Sequence, residues 1–197
     1  MENLADLAAA ARACRACAHA LPLGPRPVFQ VSETARLLIT SQAPGTKVHE
    51  SGRPFTDPSG DRLRLWMGIT EEVFYDARRV AILPMAFCYP GRLPAGGDAP
   101  PRRECAELWR ARFLEALPSI QLTLLVGAYA QNWSLGPGAV GERVRDYKKY
   151  LPRSFVLPHP SWRSRLWEQK NPWFEKQLLP VLRREVARVL RLRRPRR

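Results

Sequence analysis

Acidic side chains are scarce in this 197-residue chain: 18 Asp and Glu stand against 32 Lys and Arg, a formal net charge of +14. That deficit excludes an acidic solvating segment and favours a polyanionic partner, with nucleic acid first. Charge alone does not separate DNA from RNA or from anionic lipid. Long apolar runs are missing too. None approaches the ~20 residues that cross a bilayer, so no membrane partner is expected. Residues 1–13 lack the basic start of a secretion signal, with Glu2 and Asp6 in its place, so the expected location is the cytoplasm, at the bacterial nucleoid. Cysteine is limited to four residues, and in a reducing compartment disulfides are not their expected use. Internal repeats and dividing linkers are absent. The chain therefore reads as one monomeric domain over 1–190 with a basic tail at 191–197, RLRRPRR. Its 45% hydrophobic content is too high for a disordered chain.

Four short apolar runs punctuate the sequence: 35–40, 79–83, 121–126 and 154–157. Each ends at a turn or proline, as a buried strand does. Helical patterns lie between them. Residues 3–13 are rich in helix formers, Ser59 is the expected cap of a helix over 60–67, and 102–117 is amphipathic. A polar helix is expected over 139–150. Asn171 and Pro172 should open a last helix with Leu178, Leu179, Leu182, Val186 and Leu190 on one stripe. Residues 43–58 and 90–101 read as loops. The alternation predicts an α/β fold, a single three-layer α/β/α domain around a central four-stranded parallel sheet.

Ligands of open α/β sheets bind beyond the carboxyl ends of the strands, and the unusual residues of this chain collect there. After the first strand come SQAPG and SGRPFTDPSGD. The Pro44-Gly45 turn exposes amides that can hold an anion or a carbonyl oxygen. Phe55 suits base stacking, or plugging the loop onto the core. Asp57 and Asp61 suit catalysis, or the start of a helix. After the fourth strand comes HPSWRSRLW. His159 can donate to developing negative charge. Ser161, Arg163 and Arg165 can contact phosphates, and Trp162 or Leu166 can wedge between bases. A plain basic surface loop is the competing interpretation. Cys14 and Cys17 form a C-x-x-C, which zinc, redox and cluster sites all use.

SQAPG with SGRPF and SGD resembles the first motif of the uracil-DNA glycosylase superfamily. HPS at 159–161 resembles the second, and GAYAQ at 127–131 is similar to the glycine-containing strand end between them. Cys14, Cys17, Cys88 and Cys105 fall where the iron–sulfur branches of that superfamily, families 4 and 5, place their ligands. The resemblance implies a [4Fe–4S] cluster on these four thiolates, with structural Zn as the alternative that ligand count alone permits. It also implies a monofunctional glycosylase that flips uracil or a related deaminated base out of DNA and hydrolyses its N-glycosidic bond, leaving an abasic site. Phe55 would stack on the base and the backbone around Gln42, Ala43 and Gly45 would contact it, with Ser161 alongside. His159, with Asp57 and Asp61, would serve catalysis, and Trp162, Arg163, Arg165 and Leu166 would engage the DNA.

Two positions depart from the pattern. Ala43 stands where the best-known branch has a water-activating Asp, and Leu83-Pro84-Met85 stands where many relatives have an Asn that reads the uracil edge. Proline supplies no backbone donor, so the base choice implied is broader or altered. A non-catalytic iron–sulfur protein that binds damaged or single-stranded DNA on the same fold is the main alternative, and an RNA-binding metalloprotein is the third.

Overall fold

The computed structural model describes residues 2–192. Helix α1 (Leu4–Arg12) is capped by the Asn3 side chain, which accepts from the Ala5 N–H at 2.8 Å. Strand β1 (Leu37–Thr40) leads to helices α2 (Thr46–Ser51), α3 (Pro58–Met67) and α4 (Glu71–Tyr75), and then to β2 (Val80–Ile82). Helix α5 (Arg103–Glu115) precedes β3 (Leu122–Val126), which is followed by α6 (Ala128–Leu135) and α7 (Val140–Arg145). Strand β4 (Ser154–Leu157) leads to α8 (Ser164–Lys170) and to α9 (Leu179–Leu190), which a π-helical turn over Phe174–Leu178 introduces.

The four strands are parallel in the order β2-β1-β3-β4. Nearly every strand residue is buried, because helices cover both faces. Alternation along β1 and β2 sorts the core. Leu37, Ile39, Val80 and Ile82 join Leu63, Trp66, Leu182 and Val186 from α3 and α9. Leu38 and Ala81 join Leu7, Ala11, Trp109 and Phe113 from α1 and α5. The three-layer α/β/α architecture and all four strands are those the apolar runs predict.

Several local expectations change. The 43–58 stretch is not all loop. A six-residue helix, α2, forms between Gly45 and Gly52, and Gly52 closes it in the left-handed region at φ 69° that glycine adopts without penalty. The cap of α3 is Asp57, not Ser59: the Asp57 side chain accepts from the Gly60 N–H at 3.1 Å, which lets Pro58 take the first helical position. The 139–150 segment splits into α7 and a 3-10 turn at Tyr147–Tyr150. The Asn171 side chain does not cap the last helix, because it donates to the Trp167 carbonyl and accepts from the Trp173 indole. The predicted stripe on α9 and its introductory turn is buried as expected. Arg191 ends α9 at φ 53°, and the rest of the basic tail lies outside the described residues from 193 onward.

Gly60 sits where α3 crosses under the Phe55 carbonyl. A Cβ there would stand 1.9 Å from that oxygen, and the oxygen is itself held by the Tyr75 hydroxyl at 3.1 Å and Arg64 at 3.3 Å. The backbone has little room to yield. Gly60→Ala is expected to cost roughly 1–3 kcal/mol of stability through overpacking, lowering the melting temperature by at least about 2 °C for a chain of this size. Calorimetry of the two proteins checks it, and equal melting temperatures would show the contact to be slack.

Candidate functional site

A cleft of about 850 Å³ opens at the carboxyl edge of the sheet. The segments after β1, β2 and β4 line it together with a hairpin at 92–98, where Arg92 and Asp98 face each other across a bridge. Of the residues singled out in the sequence, Gln42, Ala43, Gly45, Phe55, Asp57, His159, Ser161, Trp162 and Arg163 all line this one cavity.

Phe55 satisfies both interpretations offered for it. It is buried against the core, edge-to-face on Phe74 with centroids 5.9 Å apart, and it also lines the cleft. Its φ of 56° is left-handed, a conformation uncommon outside glycine. Such strain, about 1–3 kcal/mol, persists only where the surroundings over-determine the backbone. Here the Tyr75 hydroxyl donates to the Pro54 and Phe55 carbonyls, and Arg64 donates to the latter.

The two aspartates separate. Asp57 lines the cleft while capping α3. Asp61 is not among the residues that line it; its carboxylate is largely exposed and pairs with Arg64 one turn along α3. That spacing explains the difference, because residues three apart share a helix face whereas the N-cap lies at the helix end.

His159 follows β4. Gly127, at φ 82°, lies behind it, and a Cβ there would come within 3.4 Å of the His159 Cβ. The Gln131 side chain is fully buried and donates to the Leu125 and Leu157 carbonyls at 3.3 and 2.8 Å, tying the ends of β3 and β4 together just before His159. Burial pushes the imidazole pKa down from its usual value, while Asp57 and Asp98 pull it back up. Even neutral, the ring keeps one N–H to donate.

Ser161 and its neighbours rest on an anchor that the sequence did not announce. Arg62 of α3 donates to the Ser161 carbonyl at 2.8 Å and pairs with Glu168 of α8. Trp162 and Leu166 stand out from this base, 73% and 68% exposed. Arg165 and Leu166 belong to α8 and lie outside the cleft lining. The other residue not foreseen is Asp98, on a stretch with no periodic pattern. Its carboxyl, exposed at the cleft rim, is raised in pKa by the desolvation its neighbours impose, and Arg92 opposes that shift.

A second cavity lies by α1 and α5. Cys14, Cys17, Cys88 and Cys105, all free thiols, line it with Ala11, Phe87, Leu108 and Trp109. Burial raises the thiols of Cys17, Cys88 and Cys105, Cys88 to about 11 and Cys105 to about 12. A backbone donor nevertheless points at one of the sulfurs. The Phe87 N–H meets Cys105 Sγ at 3.3 Å. Among the described residues, no three His, Cys, Asp or Glu side chains form a group that could hold one metal ion.

Residues 28–183 match the model of the Uracil DNA glycosylase superfamily. A similar solved structure, determined by solution NMR, is that of a Methanosarcina acetivorans protein provisionally assigned as a uracil DNA glycosylase. It is 15% identical, with a TM-score of 0.45, and the match covers 81% of this chain and 98% of that one.

The state of His159 is open to measurement. With burial dominant, its NMR titration midpoint is expected below the ordinary ~6.5. Replacing Asp57 and Asp98 with Asn should lower it further, since both carboxylates favour the cation. The sign for stability follows. As pH falls below ~6.5 the unfolded chain takes up the proton first, so this residue's contribution to stability declines from there down to the folded midpoint. A midpoint at or above 6.5 would contradict the burial argument.

Proposed function

The chain belongs to the uracil DNA glycosylase superfamily, and on that footing we propose that it is a DNA-repair glycosylase acting on uracil or a related deaminated base. The observation that carries this reading is the convergence of Phe55 and Asp57, from the connection between α2 and α3, with His159, from the exit of β4, on one cleft at the strand ends.

A base inside a duplex is shielded by stacking, so the target nucleotide swings out into the cleft. Phe55, held rigidly by Phe74 and Tyr75, provides a stacking surface at the wall. The turn from Gln42 to Gly45 forms another wall and contacts the base edge. As the N-glycosidic bond breaks, negative charge grows on the departing base, and His159, lining the cleft, stabilises it by donating a ring N–H. Trp162 and Leu166 fill the gap left in the stack, while Arg163 and Arg165 hold phosphates. Pro84 lines the cleft and brings no backbone donor to the base, which favours a broader base choice than uracil alone.

The cysteine cavity fits the [4Fe–4S] cluster that the iron–sulfur branches carry. Four half-buried thiols ring one cavity, the Phe87 N–H already faces the Cys105 sulfur, and a cluster bonds each thiolate to a different iron, which suits that arrangement. Bound there, the cluster would supply cross-links between α1, the segment after β2 and α5, a structural role. Zinc, clasped by four sulfurs at ~2.3 Å, demands a tighter convergence.

Two experiments test these readings. Incubation with oligonucleotides each carrying one deaminated base, followed by alkaline cleavage of abasic sites, should reveal release of at least one base. His159→Ala should slow it a few hundredfold, about 2.7–4 kcal/mol by comparison with loss of one oxyanion-hole donor, while binding to damaged DNA persists through phosphate contacts. No release from any substrate, with damage-selective binding intact, would instead favour a binding protein. For the cluster, anaerobically prepared protein should be brown with about four irons per chain; one zinc with neither iron nor sulfide would refute it.

A further inference from the structure

Asp98 is a carboxylate without a structural assignment inside the cleft. Asp57 is committed to the Gly60 N–H as the cap of α3, and Asp61 is paired with Arg64 away from the cavity. Asp98 caps no helix, and no hydrogen bond engages its side chain among the described residues. It stands at the open rim, where water reaches it.

Its placement is nonetheless defined. The hairpin that carries it closes through the Leu93 N–H to the Gly97 carbonyl at 2.9 Å and the Ala99 N–H to the Gly91 carbonyl at 2.8 Å. Gly96 and Gly97, both at φ 88°, form a tip that other residues would strain. Gln42 reaches across to the Ala99 carbonyl, and Asp98 Oδ2 lies 3.4 Å from where a Gly45 Cβ would be. The carboxylate thus sits over the turn from Gln42 to Gly45, where Ala43 offers no acid of its own. The charged groups around it are Asp57, His159, Arg92 and Arg163. The neighbouring groups desolvate it in part and, with Asp57 nearby, make it a better base than a free carboxylate, while Arg92 and Arg163 keep an anion tolerable there.

We propose that Asp98 holds and deprotonates the water that attacks the sugar. This deepens the glycosylase reading and rests on it. Water oxygen bonds to C1′ of the flipped nucleotide as the C1′–N bond breaks. The electron pair of that bond leaves with the base, one water proton passes to Asp98, and Asp98 returns it to the departed base. The products are a neutral base and a C1′ hydroxyl, with the carboxylate restored.

The test is single-turnover base release by wild type, Asp98→Asn and Asp98→Ala on whichever oligonucleotide the wild type cleaves, across about pH 5 to 8, beside anisotropy-measured DNA binding and melting temperature. General-base loss predicts that Asp98→Asn is at least roughly a hundredfold slower and lacks the fall in rate that the wild type shows toward acid pH. Its melting temperature should hold, and its DNA binding should be equal or tighter, because a negative charge has left a surface that faces phosphate. An Asp98→Asn rate within about threefold of wild type, or an acid limb that survives in Asp98→Asn, overturns the proposal while leaving the glycosylase reading intact. A loss of rate accompanied by lower melting temperature and weaker binding also overturns it, since Asp98 then serves the hairpin's shape. A wild type inactive on every substrate removes the glycosylase reading itself, and this proposal with it.

Discussion

All four strands of a parallel sheet end on the same edge, and everything functional in this molecule follows from how those ends are finished. A strand end leaves amides and carbonyls that must find partners when buried. Here the chain partners them across segments. The Met85 and Ala86 N–H groups donate to the Ser41 and Gln42 carbonyls at 2.9 and 3.1 Å, joining the exits of β2 and β1. Gln131 performs the same service for β3 and β4 with a side-chain amide, and the Gly127 N–H adds a bond to the Leu157 carbonyl at 2.9 Å. The cleft is the space between these two joined pairs of exits, so its walls are as rigid as the sheet that supports them.

Rigidity at the edge carries costs that the surrounding packing offsets. Phe55 is held left-handed, and Gly60 is required beneath its carbonyl because no Cβ fits. Both constraints serve one geometry: a tight crossing that places an aromatic ring on the cleft wall and Asp57 at the start of α3 within the same few residues. Opposite, Arg62 and Glu168 form a mostly buried pair that roots the segment bearing Trp162. A buried pair of this kind is weak evidence for stability but defines position well.

Much of this was legible in the sequence, and the reasons differ by residue. The four strands were readable because a parallel strand covered on both faces is apolar throughout, so it appears as an uninterrupted run closed by a turn. The cleft's membership was readable because ligand sites gather beyond strand ends, which placed Gln42, Phe55, Asp57, His159 and Arg163 together before any coordinates. Helix α2 is not legible in the sequence because six residues bracketed by glycines carry no periodic pattern, and Ser59 reads as the cap because Asp, Pro and Ser in succession each suit a helix start.

What the sequence by itself determined is the set of things that depend on neighbours along the chain: strand identity, the amphipathic helices, the glycine turns and the strongly positive charge. Only the tertiary structure decided which acids meet the cleft. Asp57 and Asp61 are four positions apart on one helix, yet one caps its start within the cavity and the other pairs outward with Arg64. Asp98 lies 41 residues beyond Asp57 in a hairpin without periodicity, and it reaches the same cavity because the connection from β2 to α5 folds back over the exit of β1. The physical reason is that a side chain's electrostatic environment is set by what surrounds it through space. Sequence patterns report burial and local geometry, and long-range juxtaposition leaves no period to read.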